Sequence, residues 1–521
     1  MNPTVSRCAD CDGKLSPCHF SVAHGTQHHA LLNSNEAPLE SDAVTAVVRV
    51  IARLREQQFE DSERLNQLTE EQVLLSNYRA ANHAIFSPLR RMPLELLSEI
   101  FGWTLTSARS QLIDRPEFIE KESPWVLTHV CRTWRAVAVS TPALWSILIL
   151  DYVALAPSSS YPLDMVETHI RRAQNLRIKF HGLSDRHESN KIEIFRCLVK
   201  YASRWEELLL EPTESLCPFL DSLRDCVPLL RRVRIRSHDH RNLFRTAAQS
   251  FDFINTAPSL VDFTLSDHLS SFAFHPSSQL TRYELWAPLK IHQGILKLAP
   301  RLSEAHIMVA VTGEPRPDAH EIIILPSVRR LHTSEAEFLD CIRAPGLEEL
   351  SLYLRVRNWS HVDPFLARSL CPLQCLCIFG SYPKPHEILA VLNKIPSLIE
   401  LRITPTASAE QANALLAGLT AVEIRTVAPQ LICISVAPTF WIVDSFDFRA
   451  YAKMIKSRFE SQECALTSTK LCMFSPSKSD SLLARARSSL DPLQGNGSQV
   501  MLLTGREALE TTACWTYTSE F

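Results

Sequence analysis

Apolar residues follow two different periods along this chain, and the change falls near Asp151. In the first regime they recur at alternating spacings of four and three, at Val47, Ile51, Leu54, Leu65, Leu68 and Leu75, with Gln58, Asp61 and Gln72 in the intervening seam positions. Neither Pro nor Gly interrupts the run, and Ser41 and Asp42 suit a helix start, so the pattern predicts one long helix over 41–84. Its stripe suits a coiled coil, and the polar seam positions suit equally a helix packed against the module that follows. That module begins at Pro93, which opens a short helix carrying Leu96, Leu97, Ile100 and Phe101 as one apolar stripe. Val126, Val130, Trp134 and Val137 repeat the helical spacing, and Thr141-Pro142 ends it. Two short helices cannot bury a core between themselves, so they need a third element or a partner.

After the loop VALAPSSSYP the period shortens to that of strands. An approximate P-x-L-x-x-L-x-L recurs as RWEELLL, PLLRRVRI, PSLVDFTL, SQLTRYEL, PGLEELSL, PLQCLCI, PSLIELRI and PQLICISV, with weaker copies PRLSEAHI and PSVRRLHT. First apolar positions lie 19 to 33 residues apart, which is the range of leucine-rich repeats with insertions. Each copy predicts a strand, and stretches such as LFRTAAQSFDFINTA and HEILAVLNKI predict helices between copies. One strand and one helix cannot bury both apolar faces alone, so stacking of repeats must make the core. The Asn that usually follows such strands is missing, so an irregular array is expected. After Glu463, TKLCMF and QVMLLTG read as a capping repeat around a polar, mobile spacer, and REALETTACWTYTSEF shows no pattern.

The first regime also carries a resemblance. M-P-x-E-L-L-x-x-I-F from Met92, V-C-R-x-W-R from Val130 and T-P-x-L-W from Thr141 follow the leader LLNSNEAPLESD, the long helix and the junction IFSPLRRMP. In this order, from about Leu31 to Leu148, they resemble F-box-like proteins of mushroom-forming fungi, departing in Met92 and in the segment 102–123 between the halves. The resemblance implies a small helical module that docks to the Skp-type adaptor of a cullin-RING ubiquitin ligase. It assigns adaptor contacts to Pro93, Leu96, Leu97, Ile100 and Phe101, and also to Val130, Cys131 and Trp134. The expected fold class is α+β multidomain: a long N-terminal helix, a small all-α F-box-like domain over 85–150, an irregular α/β leucine-rich-repeat-like solenoid over 160–475, and a poorly defined segment 476–521.

If that repeat register holds, the residues between the inward positions line one open face. They are Arg232, Arg234 and Arg236, then Asp262 and Thr264, Arg282, Glu284 and Trp286, Glu304 and His306, Glu349, Ser351 and Tyr353, Cys375, Cys377 and Phe379, and Glu400 and Arg402. Arg232, Arg234 and Arg236 make one end basic, and Trp286, Tyr353 and Phe379 are aromatic types enriched at interface hot spots. These six are the candidate substrate-binding residues; read singly, each is also an ordinary strand position.

Composition changes the picture mostly by exclusion. With 521 residues, 45% apolar and 21% charged, the chain should fold as two to four units. A net charge of -3 offers no global attraction to nucleic acid or membrane, and no run of about 18 apolar residues or signal-peptide core is present, so an intracellular protein is expected. Fifteen scattered cysteines read as reduced thiols. Residues 1–40 lack periodicity and read as disordered, although Cys8, Cys11, Cys18 and His19 have the ligand types of a zinc site. No second pair at finger spacing follows, and no metal or cofactor is assigned.

Only 12 Gly occur, and no P-loop, dinucleotide fingerprint, G-x-S-x-G or H-E-x-x-H motif is found. With no such motif to set against it, the resemblance implies a non-catalytic substrate receptor whose partners are a Skp-type adaptor, a cullin scaffold and an unknown protein target. The alternative is a non-ligase interaction scaffold that self-associates through the N-terminal helix.

Overall fold

The computed structural model describes residues 41–85, 92–111, 124–153, 160–182, 186–236, 248–268, 274–275, 278–310, 322–354, 359–380, 384–405, 408–422, 426–439, 442–473, 480–493 and 499–516. The chain divides into two compact units, Met1–Pro93 and Leu94–Phe521. The first contributes one unbroken helix, α1 (Ser41–Ile85), whose residues 51–79 are all exposed.

The second unit is mixed α/β and opens with three helices: α2 (Leu94–Gln111), α3 (Pro124–Val130) and α4 (Arg132–Ser140). Cys131 caps α4, its sulfur accepting from the Trp134 backbone N–H at 3.4 Å. Leu97 and Phe101 are buried, and the Phe101 ring lies 4.8 Å from that of Trp134. After the Thr-Pro stop, a one-turn helix Pro142–Trp145 delivers Trp145 into the core, where its indole N–H donates to the Ala138 carbonyl at 2.7 Å. These three helices therefore do find a further element to pack on: the start of the sheet.

That sheet is large and parallel. Its early strands are β1 (Ile147–Asp151), β2 (Leu176–His181), β3 (Trp205–Glu211), β4 (Arg232–Arg236), β5 (Asp262–His268), β6 (Arg282–Ala287) and β7 (Glu304–Val309). It continues through β9 (Arg330–Thr333), β11 (Glu349–Leu354), β12 (Cys375–Gly380), β13 (Glu400–Pro405), β14 (Cys433–Val436), β15 (Ser468–Met473) and β16 (Gln499–Thr504). These 14 described strands lie in chain order, while β8 (Ile323–Ile324) and β10 (Ile342–Arg343) form a separate pair. A parallel neighbour requires a crossover connection, and among the described residues α-helices supply nine of the thirteen: α5 (Leu163–Arg172), α6 (Glu188–Val199), α7 (Cys217–Asp221), α8 (Leu289–Leu298), α9 (Val362–Ser369), α10 (Pro385–Leu392), α11 (Ala409–Leu419), α12 (Phe448–Glu460) and α13 (Asp480–Leu490).

Every repeat copy read from the sequence yields a strand of this sheet, the two weak ones included, as β7 and β9. Register stacks their inward residues into rows: Leu350 opposes Leu376, which opposes Leu401, which opposes Ile434, and all four are fully buried. Two further rungs precede the first repeat copy, β1 from the end of the helical module and β2 from LRIKFH.

Two expectations are corrected. Within LFRTAAQSFDFINTA the structure shows a 3-10 helix, Ala248–Ile254, which buries Phe251, Phe253 and Ile254. The polar spacer near the C-terminus contains α13, which buries Leu482, Ala486 and Leu490 at intervals of four. A short helix, α14 (Gly505–Ala513), follows β16 without a linker, and Gly505 at φ 55° makes that direct turn.

Candidate binding face

Side chains alternate along each strand, so the sheet has two chemically distinct faces. Thr469 belongs to the apolar rows, and the Tyr451 hydroxyl of α12 hydrogen-bonds to it, which puts that helix on the apolar side. The opposite side carries three rows of largely polar residues across the strands, as the sequence register predicts.

The first row alternates in charge from strand to strand: Glu207, Arg232, Asp262, Arg282, Glu304, Arg330 and Glu349. Neighbours bind each other, with Arg232–Glu207 at 2.9 Å, Arg282–Asp262 at 2.9 Å, Arg282–Glu304 at 3.4 Å, Arg330–Glu304 at 3.1 Å and Arg330–Glu349 at 3.0 Å. Opposite charges on facing strand positions stabilise the pairing of those strands. Glu207 and Arg330 were not singled out in the sequence, because RWEELLL and PSVRRLHT depart from the repeat on either side of them.

The second row is buried and holds Arg234, Thr264, Glu284, His306, His332, Ser351 and Cys377. Here His332 Nδ1 lies 2.7 Å from Ser351 Oγ, the His306 and His332 rings meet edge to face at 4.1 Å, and His306 Nδ1 is 3.4 Å from Glu284. A Ser–His contact is the geometry of a nucleophile and its base, but Ser351 has no exposed surface through which a substrate could reach it. Burial, aided by the neighbouring His306, holds the His332 imidazole well below its usual pKa.

The third row carries the aromatics. Trp286 opposes Met308 and Tyr353 opposes Phe379. Trp286 and Tyr353 are 36% and 44% exposed, so these two are the accessible aromatic part of the six-residue set. The basic end is corrected: Arg232 is paired with Glu207, and Arg234 is buried, its guanidinium pushed down to about 10 by burial and by Arg236 beside it. Only Arg236, half-buried at the strand end, keeps the place the sequence assigned it.

Phe379 belongs to a different structure. It packs against a cluster of Cys377, Ala437, Cys472, Leu503, Ala508 and Trp515, the last three from the C-terminal segment. Register places Cys472 opposite Leu503 and on the polar side, so α14 and the turn after it lie on the face that the other helices leave open. Trp515, in a stretch with no sequence pattern, is 3% exposed. Ala508 is the buried residue of α14, so the segment offers almost no apolar period to read.

On the helical module the assigned adaptor residues separate into two groups. Pro93, Leu96, Ile100, Val130 and Cys131 are exposed, as is Trp103. Leu97 and Phe101 are not: at 2% and 1% exposure they are core residues with no surface for a partner, and half-buried Trp134 stacks on Phe101. The possible zinc ligands Cys8, Cys11, Cys18 and His19 lie outside the described residues. Among the described residues no group of three or more His, Cys, Asp or Glu is placed to hold a metal, and no helix is long and apolar enough to cross a membrane.

No protein-family model matches the chain, and no curated protein matches it.

Buried histidines give the sheet a pH dependence, His292 as well as His332. His292 on α8 is fully buried, with Nε2 3.2 Å from the Met308 carbonyl and Nδ1 3.4 Å from the Tyr283 hydroxyl. Burial pushes its pKa down to about 4 from 6.5. Above pH 6.5 both folded and unfolded chains carry it neutral. As pH falls toward 4 the unfolded chain takes a proton that the folded one refuses, so stability is lost across that window, by ~3 kcal/mol from this group. Urea denaturation from pH 7.5 to 4.5 should show this loss, and His292→Gln should flatten it relative to the unmodified protein.

Proposed function

We propose that the protein is a non-catalytic substrate receptor of a cullin-RING ubiquitin ligase. In this reading the helical module docks to a Skp-type adaptor, which links it to the cullin, and the repeats form a curved, irregular solenoid of the leucine-rich-repeat type that holds a target protein. The protein works inside the cell and contributes proximity, keeping an acceptor lysine near the ligase machinery.

The observation that carries the docking role is the division of α2. Leu97 and Phe101 anchor one side of the helix, leaving Leu96, Ile100 and Trp103 exposed at helical spacing on another. Three large apolar side chains on one exposed stripe are what a partner surface would cover. The parallel sheet with its chain-order strands supports the solenoid, and Trp286 and Tyr353 are the side chains through which it would grip a target.

Co-expression with a Skp-type adaptor should give a co-purifying complex. Leu96→Asp with Ile100→Asp is expected to abolish that complex while leaving the melting temperature unchanged, since neither side chain is buried. If the unmodified protein binds no such adaptor, the ligase reading is wrong.

A further inference from the structure

We propose that α1 pairs with the α1 of a second copy of this chain as a parallel, in-register, two-stranded coiled coil. The proposal holds whether or not the helical module docks to an adaptor. It rests on the width, phase and exposure of one seam.

The helix is continuous from Ser41 to Ile85, about 67 Å at 1.5 Å per residue. Its 4-3 spacing runs from Val44 to Leu75, more than the three or four heptads that mark a coiled coil. Along it Ile51, Leu54, Leu65, Leu68 and Leu75 are all exposed. A helix that packs on a globular core shows an apolar stripe three positions wide, whereas a seam two positions wide fits a like helix. From Arg55 to Ser76 the flanking positions are polar: Arg55, Gln57, Ser62, Arg64, Thr69, Glu71 and Ser76. The stripe there is two positions wide.

The polar seam residues choose the geometry. Gln58 and Gln72 occupy the same heptad position two heptads apart, so an in-register parallel partner sets each against its own twin and the Leu65 and Leu68 layers against themselves. An antiparallel partner centred on the helix would instead set Gln58 against Leu68, Gln72 against Leu54 and Asp61 against Leu65, burying polar groups against apolar ones. In the parallel pair the flanks meet as Gln57 with Ser62, Arg64 with Thr69 and Glu71 with Ser76, with no like charges opposed. The Asp61 layer is the one unfavourable contact.

Light scattering on the full chain at 1–100 µM tests this. The mass should approach twice 58.9 kDa. Leu65→Asp with Leu68→Asp should weaken dimerisation by about 100-fold or more without lowering the melting temperature of the sheet unit, and Asp61→Leu should tighten it. Short-span thiol crosslinking of a Gln58→Cys variant should yield a peptide joining position 58 to position 58. A monomer at 100 µM, or a dimer indifferent to the Leu65 and Leu68 changes, overturns the proposal. A dimer that never gives the 58-to-58 crosslink overturns its parallel register.

Discussion

Trp145→Ala should destabilise the Leu94–Phe521 unit by about 3–5 kcal/mol, the range for removing a fully buried aromatic. The ring is the hub between the helical module and the sheet. It meets Trp125 edge to face at 5.1 Å and His169 at 5.2 Å, while the Arg172 guanidinium sits 4.5 Å from its centre and 4.7 Å from that of Trp125. Its N–H satisfies the Ala138 carbonyl on α4, so truncation leaves both a cavity and a carbonyl without that donor. Trp145→Phe keeps most of the ring and loses the N–H, and should cost about 1–3 kcal/mol. Urea melts followed by circular dichroism measure both. On the proposed docking role, Trp145→Ala should lose adaptor binding together with stability, whereas the Leu96 and Ile100 changes should lose binding alone. An unchanged melting temperature for Trp145→Ala would mean that the module and the sheet do not share this core.

That hub marks where the sequence was legible and where it was not. The T-P-x-L-W stop was visible, but the role of Trp145 depends on Arg172 and His169, more than twenty residues on and outside any motif. The stripe Leu96, Leu97, Ile100 and Phe101 was read as one surface, yet adjacent helical residues are about 100° apart, so a stripe this wide has one edge in the core and one in solvent. Periodicity locates the stripe and cannot say which edge faces inward. Strands were easier, because L-x-x-L-x-L leaves only one arrangement that buries all three apolar residues. The α14 segment was illegible for a related reason: with small Ala508 as its main buried contact, it has almost no apolar period, and it is held by the face it lies on.

The open face was read correctly residue by residue and misread as a surface, and Arg282 is where the difference can be measured. Arg282→Met should lower stability by about 3–5 kcal/mol at pH 7, because it strands carboxylates that Arg282 neutralises inside the face. Its side chain is 9% exposed and reaches Asp262, Glu284 and Glu304. Burial already raises the Asp262 pKa against the pull of Arg282, and Glu284 is kept low against its burial by His306, Arg282 and Arg234. The two carboxyls therefore act oppositely in the unmodified protein: Glu284 contributes stability that is lost as pH falls through its lowered pKa, while protonation of Asp262 relieves a penalty. Removing Arg282 raises both folded-state pKa values, so the folded variant takes up protons at a higher pH than the folded unmodified protein does. The deficit should accordingly be largest at pH 7 and shrink as pH falls toward 4, which urea denaturation at pH 7.5, 6 and 5 would reveal. Arg232→Gln, which removes a cation from the same row where its side chain is 49% exposed, should shift stability by no more than about 1 kcal/mol. If Arg282→Met is as mild as that, the charge row is a solvated surface open to a partner. If it is severe, the row holds neighbouring strands in register, and recognition is left to Trp286 and Tyr353 beside it.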